Sequence, residues 1–209
     1  MPITSFKHLS TVVVYLFSQD YDLQPLGVDS IRELGFPKVA NENGVIQFAD
    51  LENARAVRLQ PKRVEFEFAK IDSLAPELVG AAVVKFLNKL GNKRISALGT
   101  NYMSQVVMEG VSDAGAFIKN TFLRDEARLS ATLGKSVIAS STRFFAGTPN
   151  DYYDIRLSLT EIGKPAFLYN LHVHKDITEG ANYKHEEDLL SRLKEDKVLL
   201  PDLFDRVTK

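Results

Sequence analysis

The chain has 209 residues, 44% hydrophobic and 25% charged, with 26 basic residues against 27 acidic ones and a formal net charge of -1. This composition excludes disorder, which needs low hydrophobicity and high net charge, and the even balance removes the broad basic footprint of a nucleic-acid or anionic-membrane protein. There is no cysteine, so disulfides, cysteine zinc sites, iron–sulfur clusters and thiol nucleophiles are excluded.

In chain order, the β-branched and aromatic run over residues 8–17 predicts a strand. Asp29 caps a short helix over 30–34, closed by Gly35 and Pro37. A turn at 41–44 precedes a short strand over 45–48. A hairpin follows. Val57 and Leu59 alternate with Arg58 and Gln60, the turn is Gln60-Pro61-Lys62-Arg63, and Val64, Phe66 and Phe68 alternate with Glu65 and Glu67. Period two with one polar side means a sheet covered on one face and wet on the other. A helix then starts near 73–76, with Pro76 in its first turn, and stops at Gly91. Val79, Val83, Phe86, Leu87 and Leu90 form its apolar stripe.

Residues 95–107 predict a long strand in which Gly99 marks a bulge or a close backbone approach. Ser112 and Asp113 cap a helix over 114–123, and a second helix covers 125–133. A strand over 137–145 leads to a turn at 147–151 and an alternating strand over 153–159. A turn at 163–165 leads to another over 167–174. The last helix begins near Lys184, places Leu189, Leu190 and Leu193 on one face, and is broken or re-capped at Pro201.

The element order repeats. Residues 1–92 and 93–209 each read as a strand, helix, further strands and a long closing helix. The expected fold is a single α+β domain over 1–209: an antiparallel-dominated sheet, helices on one face, and two halves that echo each other. The apolar run Val12 to Phe17 falls far short of the roughly 20 residues of a spanning helix. The first residues lack a signal-peptide pattern. The expectation is a cytoplasmic protein that does not enter a membrane.

No dinucleotide, P-loop, nucleophile-elbow or H-E-x-x-H motif occurs, so no catalytic residue is assigned and the cofactor is unknown. Four constellations remain. His172 and His174, two apart on a strand, point the same way. They form a candidate metal pair with a third ligand from His185, Glu186 or Glu187, or from Glu65 and Glu67 if those strands are neighbours. The plainer alternative is a solvated polar strand face. Arg55, Arg58, Lys62 and Arg63 surround the first hairpin and form a candidate anion or nucleic-acid grip. Arg143 lies beside Phe144 and Phe145 and near Tyr152 and Tyr153, which makes either a stacking pocket or an edge of cross-strand aromatic pairs. Tyr102, Phe144 or Tyr152, if outward-facing, would suit an oligomer interface. The charged runs 184–188 and 194–197 read as a solvated helix face.

From Val57 through the hairpin, on to Leu87-Asn88-Lys89-Leu90-Gly91 and then Ile95-Ser96-Ala97-Leu98-Gly99-Thr100-Asn101-Tyr102, the chain resembles a sporadically distributed family of uncharacterised bacterial and archaeal proteins. In that family a strand ending in a QP-D/K-R turn precedes a helix and a strand of the type R-x-x-x-L-G-L-R-Y-I-N-R-I. Arg94, Leu98, Gly99 and Tyr102 fit that pattern. Thr100, Asn101, Met103, Ser104 and Gln105 depart from it. The likeness covers about 50 residues. It implies the fold and a microbial intracellular origin, and it supplies no catalytic residue.

The sequence thus points to a non-enzymatic binding or assembly component of a bacterial intracellular system. Its partner would be another protein or a second copy, held by a sheet face or an edge strand. The alternatives are a metal-binding protein or enzyme using His172 and His174, and a nucleic-acid binder using the basic hairpin.

Overall fold

A computed structural model describes residues 1–23, 26–42, 44–69, 75–91, 94–178 and 185–209. The chain runs β1 (Ile3–Phe17), α1 (Val28–Glu33), β2 (Lys38–Glu42), β3 (Val45–Asp50), β4 (Arg55–Gln60), β5 (Arg63–Phe68) and α2 (Pro76–Leu87). It continues through β6 (Ile95–Met108), α3 (Ala114–Phe122), α4 (Glu126–Leu133), β7 (Thr142–Thr148), β8 (Asp151–Leu159), β9 (Ala166–Asp176) and α5 (His185–Thr208). The nine strands among the described residues form one sheet in the order β2-β3-β4-β5-β1-β6-β9-β8-β7. Every neighbouring pair is antiparallel.

Alternation sorts the side chains into two faces. On the first, Val13 lies opposite Phe66 of β5 and Thr100 of β6, and Tyr15 lies opposite Val64 and Leu98. Val57, Phe48, Leu171 and Ile155 continue this face toward the two edges. These side chains are buried because helices cover them. Phe86 of α2 meets Phe66, Phe48 and Phe36 with ring centroids 5.4, 5.9 and 6.2 Å apart. Phe204 of α5 meets Phe167 and Tyr169 at 5.5 and 5.3 Å. Phe117 of α3 reaches Phe167 at 5.6 Å, and Leu34 and Phe36, just beyond α1, join the same core. The expected α+β fold, with helices on one face of an antiparallel sheet, is therefore the observed one.

The two halves share a connectivity. In each, the first strand (β1 or β6) sits at the centre, and the later strands fill in from the outer edge back toward it. The long closing helix of each half covers the core face. Among the described residues β2 and α4 have no counterparts. Among the described residues no helix is long and apolar enough to cross a membrane.

Several local expectations need correction. β1 begins at Ile3 rather than residue 8, because Ile3 to Lys7 pair with the end of β6. β2 was not expected: all five of its residues are exposed, so this edge strand has no apolar alternation to read. Gly27 rather than Asp29 precedes α1, and Asp29 lies in its first turn. α2 ends at Leu87, and residues 73–74 of its expected start lie outside the described residues. The strand expected over 137–145 is β7, shifted to Thr142–Thr148. Residues 137–139 are tied to the helices instead: the Val137 amide donates to Ser130 Oγ at 3.2 Å, Lys119 Nζ donates to the Val137 carbonyl at 3.2 Å, and Ala139 packs on Gly115. α5 passes through Pro201 without a break. Proline removes one helical donor, and the fully buried Leu200 and Phe204 on either side hold the helix to the sheet.

One polar network crosses this core. Asp196 of α5, expected on a solvated face, is only 3% exposed. Its Oδ2 accepts from the Tyr102 hydroxyl at 2.7 Å and the Thr100 hydroxyl at 2.9 Å, with Arg192 Nε 3.9 Å away. Tyr102 is likewise buried rather than outward-facing. Burial pushes the Asp196 carboxyl above the ordinary carboxylate range against these hydrogen bonds.

Two outcomes follow from this packing. Phe86→Ala removes a ring that ties α2 to the first half-sheet and to Phe36 beyond α1, and should cost about 3–5 kcal/mol in denaturant unfolding. For Asp196, a folded pKa above the unfolded value of about 3.9 means that its stabilising contribution is complete below the unfolded pKa. It is lost as pH rises through the folded one. Asp196→Asn keeps an acceptor for Tyr102 and Thr100, so its stability should fall less between pH 4 and 7 than that of the parent chain, as measured by urea unfolding across that range.

Candidate functional site

The second face of the sheet is open. Among the described residues α1, α2, α3 and α5 pack on the first face, and the composition of the second follows from the odd–even rule: the residues between the core positions are polar, small or half-apolar. Two rows cross all nine strands. One reads Ala40, Gln47, Arg58, Glu65, Val14, Gly99, His174, Tyr152, Gly147. The next reads Lys38, Ala49, Ala56, Glu67, Val12, Asn101, His172, Asp154, Phe145. Beyond these, Ser10, Met103, Asn170, Arg156 and Arg143 make a third row across β1, β6, β9, β8 and β7.

Over the second half these rows line a shallow groove of about 600 Å³. At its heart lies Asp154, 5% exposed. Arg143 grips it with two parallel bonds, Nε to Oδ1 at 2.7 Å and Nη2 to Oδ2 at 2.7 Å, and Arg156 Nη2 adds a third at 3.0 Å. Burial by itself would raise the Asp154 carboxyl, but the hydrogen bonds and charge of the two guanidiniums overcome it and hold the pKa at about 2. Two arginines share one carboxylate, so the cluster keeps one surplus positive charge. Arg143 also stacks over Phe145, 4.4 Å from the ring centroid.

Beside this cluster, the His172 Nδ1–H donates to Asn101 Oδ1 at 2.7 Å, and the His174 Nε2–H donates to Asp176 Oδ1 at 2.9 Å. A carbonyl or carboxylate oxygen accepts only, which sets these ring protons. Tyr152 stacks on His174 at 4.9 Å and tilts against His172 at 5.9 Å. Burial, then the neighbouring His174, lowers the His172 pKa. Gly99 makes room for this row: a Cβ there would sit 3.0 Å from His172 Cε1. The expected close approach is therefore between the β6 backbone and an imidazole.

The sequence candidates separate as follows. His172 and His174 do share the open face, with ring centroids 6.0 Å apart. Glu65 and Glu67 do not join them, because β1 and β6 lie between β5 and β9, a separation of roughly 14 Å at ordinary strand spacing. The side chain of His185 lies outside the described residues, and among those described no group of three or more acidic or histidine side chains is placed to hold a metal.

The basic hairpin also divides. Arg58 and Arg63 sit on the open face bound to Glu67 and Glu65, and Lys62 occupies the turn with φ 57°. Arg55 is on the core face instead, bonded to Asp50 at 2.9 Å and stacked on Phe36. The arginine–aromatic group at 143–153 does form, but only Arg143, Phe145 and Tyr152 face outward; Phe144 packs against Phe122 on the other side. Asp154, Arg156 and Asn101 were missed as site residues. Their signal was the polar half of the alternation, which marks a wet face without showing which residues on different strands meet.

No family model and no curated protein matches the chain. Among solved structures the chain is similar to Methanococcus jannaschii TBP, at 10% identity and a TM-score of 0.37, over 91% of this chain and 99% of that one. A likeness at this level carries no argument about function.

Asp154→Ala should leave two guanidiniums without their shared anion and lower stability by about 1–2 kcal/mol at neutral pH, the exposed ends of the arginines screening the remainder. The folded pKa near 2 lies below the unfolded value, so this contribution is present above about pH 4 and is lost as pH falls toward 2. Acid titration of unfolding for the parent and the variant checks both the size and the direction.

Proposed function

We propose that this chain is a non-enzymatic binding or assembly component that takes a protein partner on the open face of its sheet. The observation that carries the reading is the state of that face. A set of its charged and polar groups is bonded internally: Asp154 to Arg143 and Arg156, His172 to Asn101, His174 to Asp176, and Glu65 and Glu67 to Arg58 and Arg63. Side chains held this way form a rigid, patterned surface suited to recognition. The acid and base of a proton-transfer centre instead need different environments across a reacting gap. A cysteine-free chain and the resemblance around residues 57–102 support a setting inside a bacterial cell.

The test uses two charge insertions at half-buried central positions of the face, Val12→Glu with Met103→Glu, and a control, Val198→Lys, on the exposed side of α5. The full chain is used to recover partners from its source cell. Each recovered protein is purified, and its affinity for the three forms is measured by titration with light scattering. A partner or self-association that weakens at least about tenfold with the face variant and is unchanged in the control supports the reading. A strict monomer with no partner, or binding indifferent to the face variant, overturns it.

A further inference from the structure

The sheet has two edges, and they differ. β2 carries Lys38 and Glu42, charges of the kind that discourage further strand pairing. β7 carries Phe144, Phe145, Ala146 and Gly147, with Arg143 as its one charged residue, and that charge is engaged with Asp154. Phe145 is 63% exposed. Among the described residues β7 pairs only with β8, and no other backbone hydrogen bond leaves it. The segment before it, residues 137–139, lies against α3 and α4.

We propose that the β7 edge takes an extended acidic strand from the partner, one in which carboxylate and apolar side chains alternate. Resting on the binding reading above, this names the edge of the face that is used and the chemistry that fits it. A strand laid beside β7 fills the free backbone donors and acceptors, and its side chains then alternate between the two faces of the sheet. Those on the open face come beside Arg143 and Phe145, where two guanidiniums share one carboxylate and one positive charge is left over. A carboxylate there receives charge-assisted hydrogen bonds from the remaining guanidinium N–H groups. Those on the other face come beside Phe144 and Ala146, where an apolar side chain extends the core. Nucleic acid fits less well. Phosphates need a row of uncommitted cations, whereas Arg58 and Arg63 are bound to Glu65 and Glu67 on the same face.

The full chain is titrated against fluorescent heptapeptides by anisotropy. One alternates glutamate and valine, a second alternates lysine and valine, and a third is the glutamate–valine peptide with N-methylated backbone amides on one edge. The expected result is saturable binding of the first peptide, at least about tenfold weaker binding of the other two, and a similar loss for Arg143→Gln with Arg156→Gln. Equal binding of the lysine peptide, or no binding of the glutamate peptide, overturns the proposal. So does tighter binding of a DNA oligonucleotide that depends on the same arginines, or a dimer in light scattering that Phe145→Lys dissociates. Failure here is distinct from failure of the broader reading. A chain that holds a partner through Val12 and Met103 but ignores the glutamate–valine peptide loses only the strand-addition proposal.

Discussion

The structure depends on the pairing of β1 with β6. These two long strands, the first of each half, lie side by side at the middle of the sheet with Val13 opposite Thr100 and Tyr15 opposite Leu98. Because side chains alternate, a slip of one residue in this seam would turn Val13, Tyr15 and Phe17 out to water. The register is therefore held by burial under α2 and α5, and it fixes the rest of the sheet outward from the centre.

The same parity that buries the core builds the open face. Thr100 and Tyr102 point inward to Asp196, and the residues that alternate with them, Gly99 and Asn101, lie on the outward side against His172. One strand thus joins a buried polar contact of α5 to the groove on the other side. His8 is a second inward polar position on β1, held between Ser104 and Thr11, and burial lowers its pKa to about 4, so it is neutral at physiological pH.

The two halves share their strand order and differ in how their open-face charges are matched. In the first half Arg58 and Arg63 meet Glu65 and Glu67, a balanced set. In the second, Arg143 and Arg156 meet Asp154 alone. The imbalance sits next to the edge strand with the apolar, exposed Phe145, so charge and free backbone coincide at one place on the molecule.

Period-two runs over β4, β5, β8 and β9, and the apolar stripe of α2, were legible in the sequence because each expresses a strictly local rule: residues two apart on a strand, or three and four apart on a helix, share a face. That was enough for the fold class, the one-sided cover and the outward placement of His172 and His174. Strand β2 was invisible because every residue in it is exposed, and β7 was misplaced because residues 137–139 answer to the helices rather than to a strand partner. Only the tertiary structure decided that Arg55 leaves the other hairpin cations, that Asp196 is buried, that Glu65 and Glu67 lie far from the histidines, and that Asp154 collects two arginines. Each of these depends on which strands become neighbours and which helix lies over them, and that is set by the packing of distant segments around a shared core.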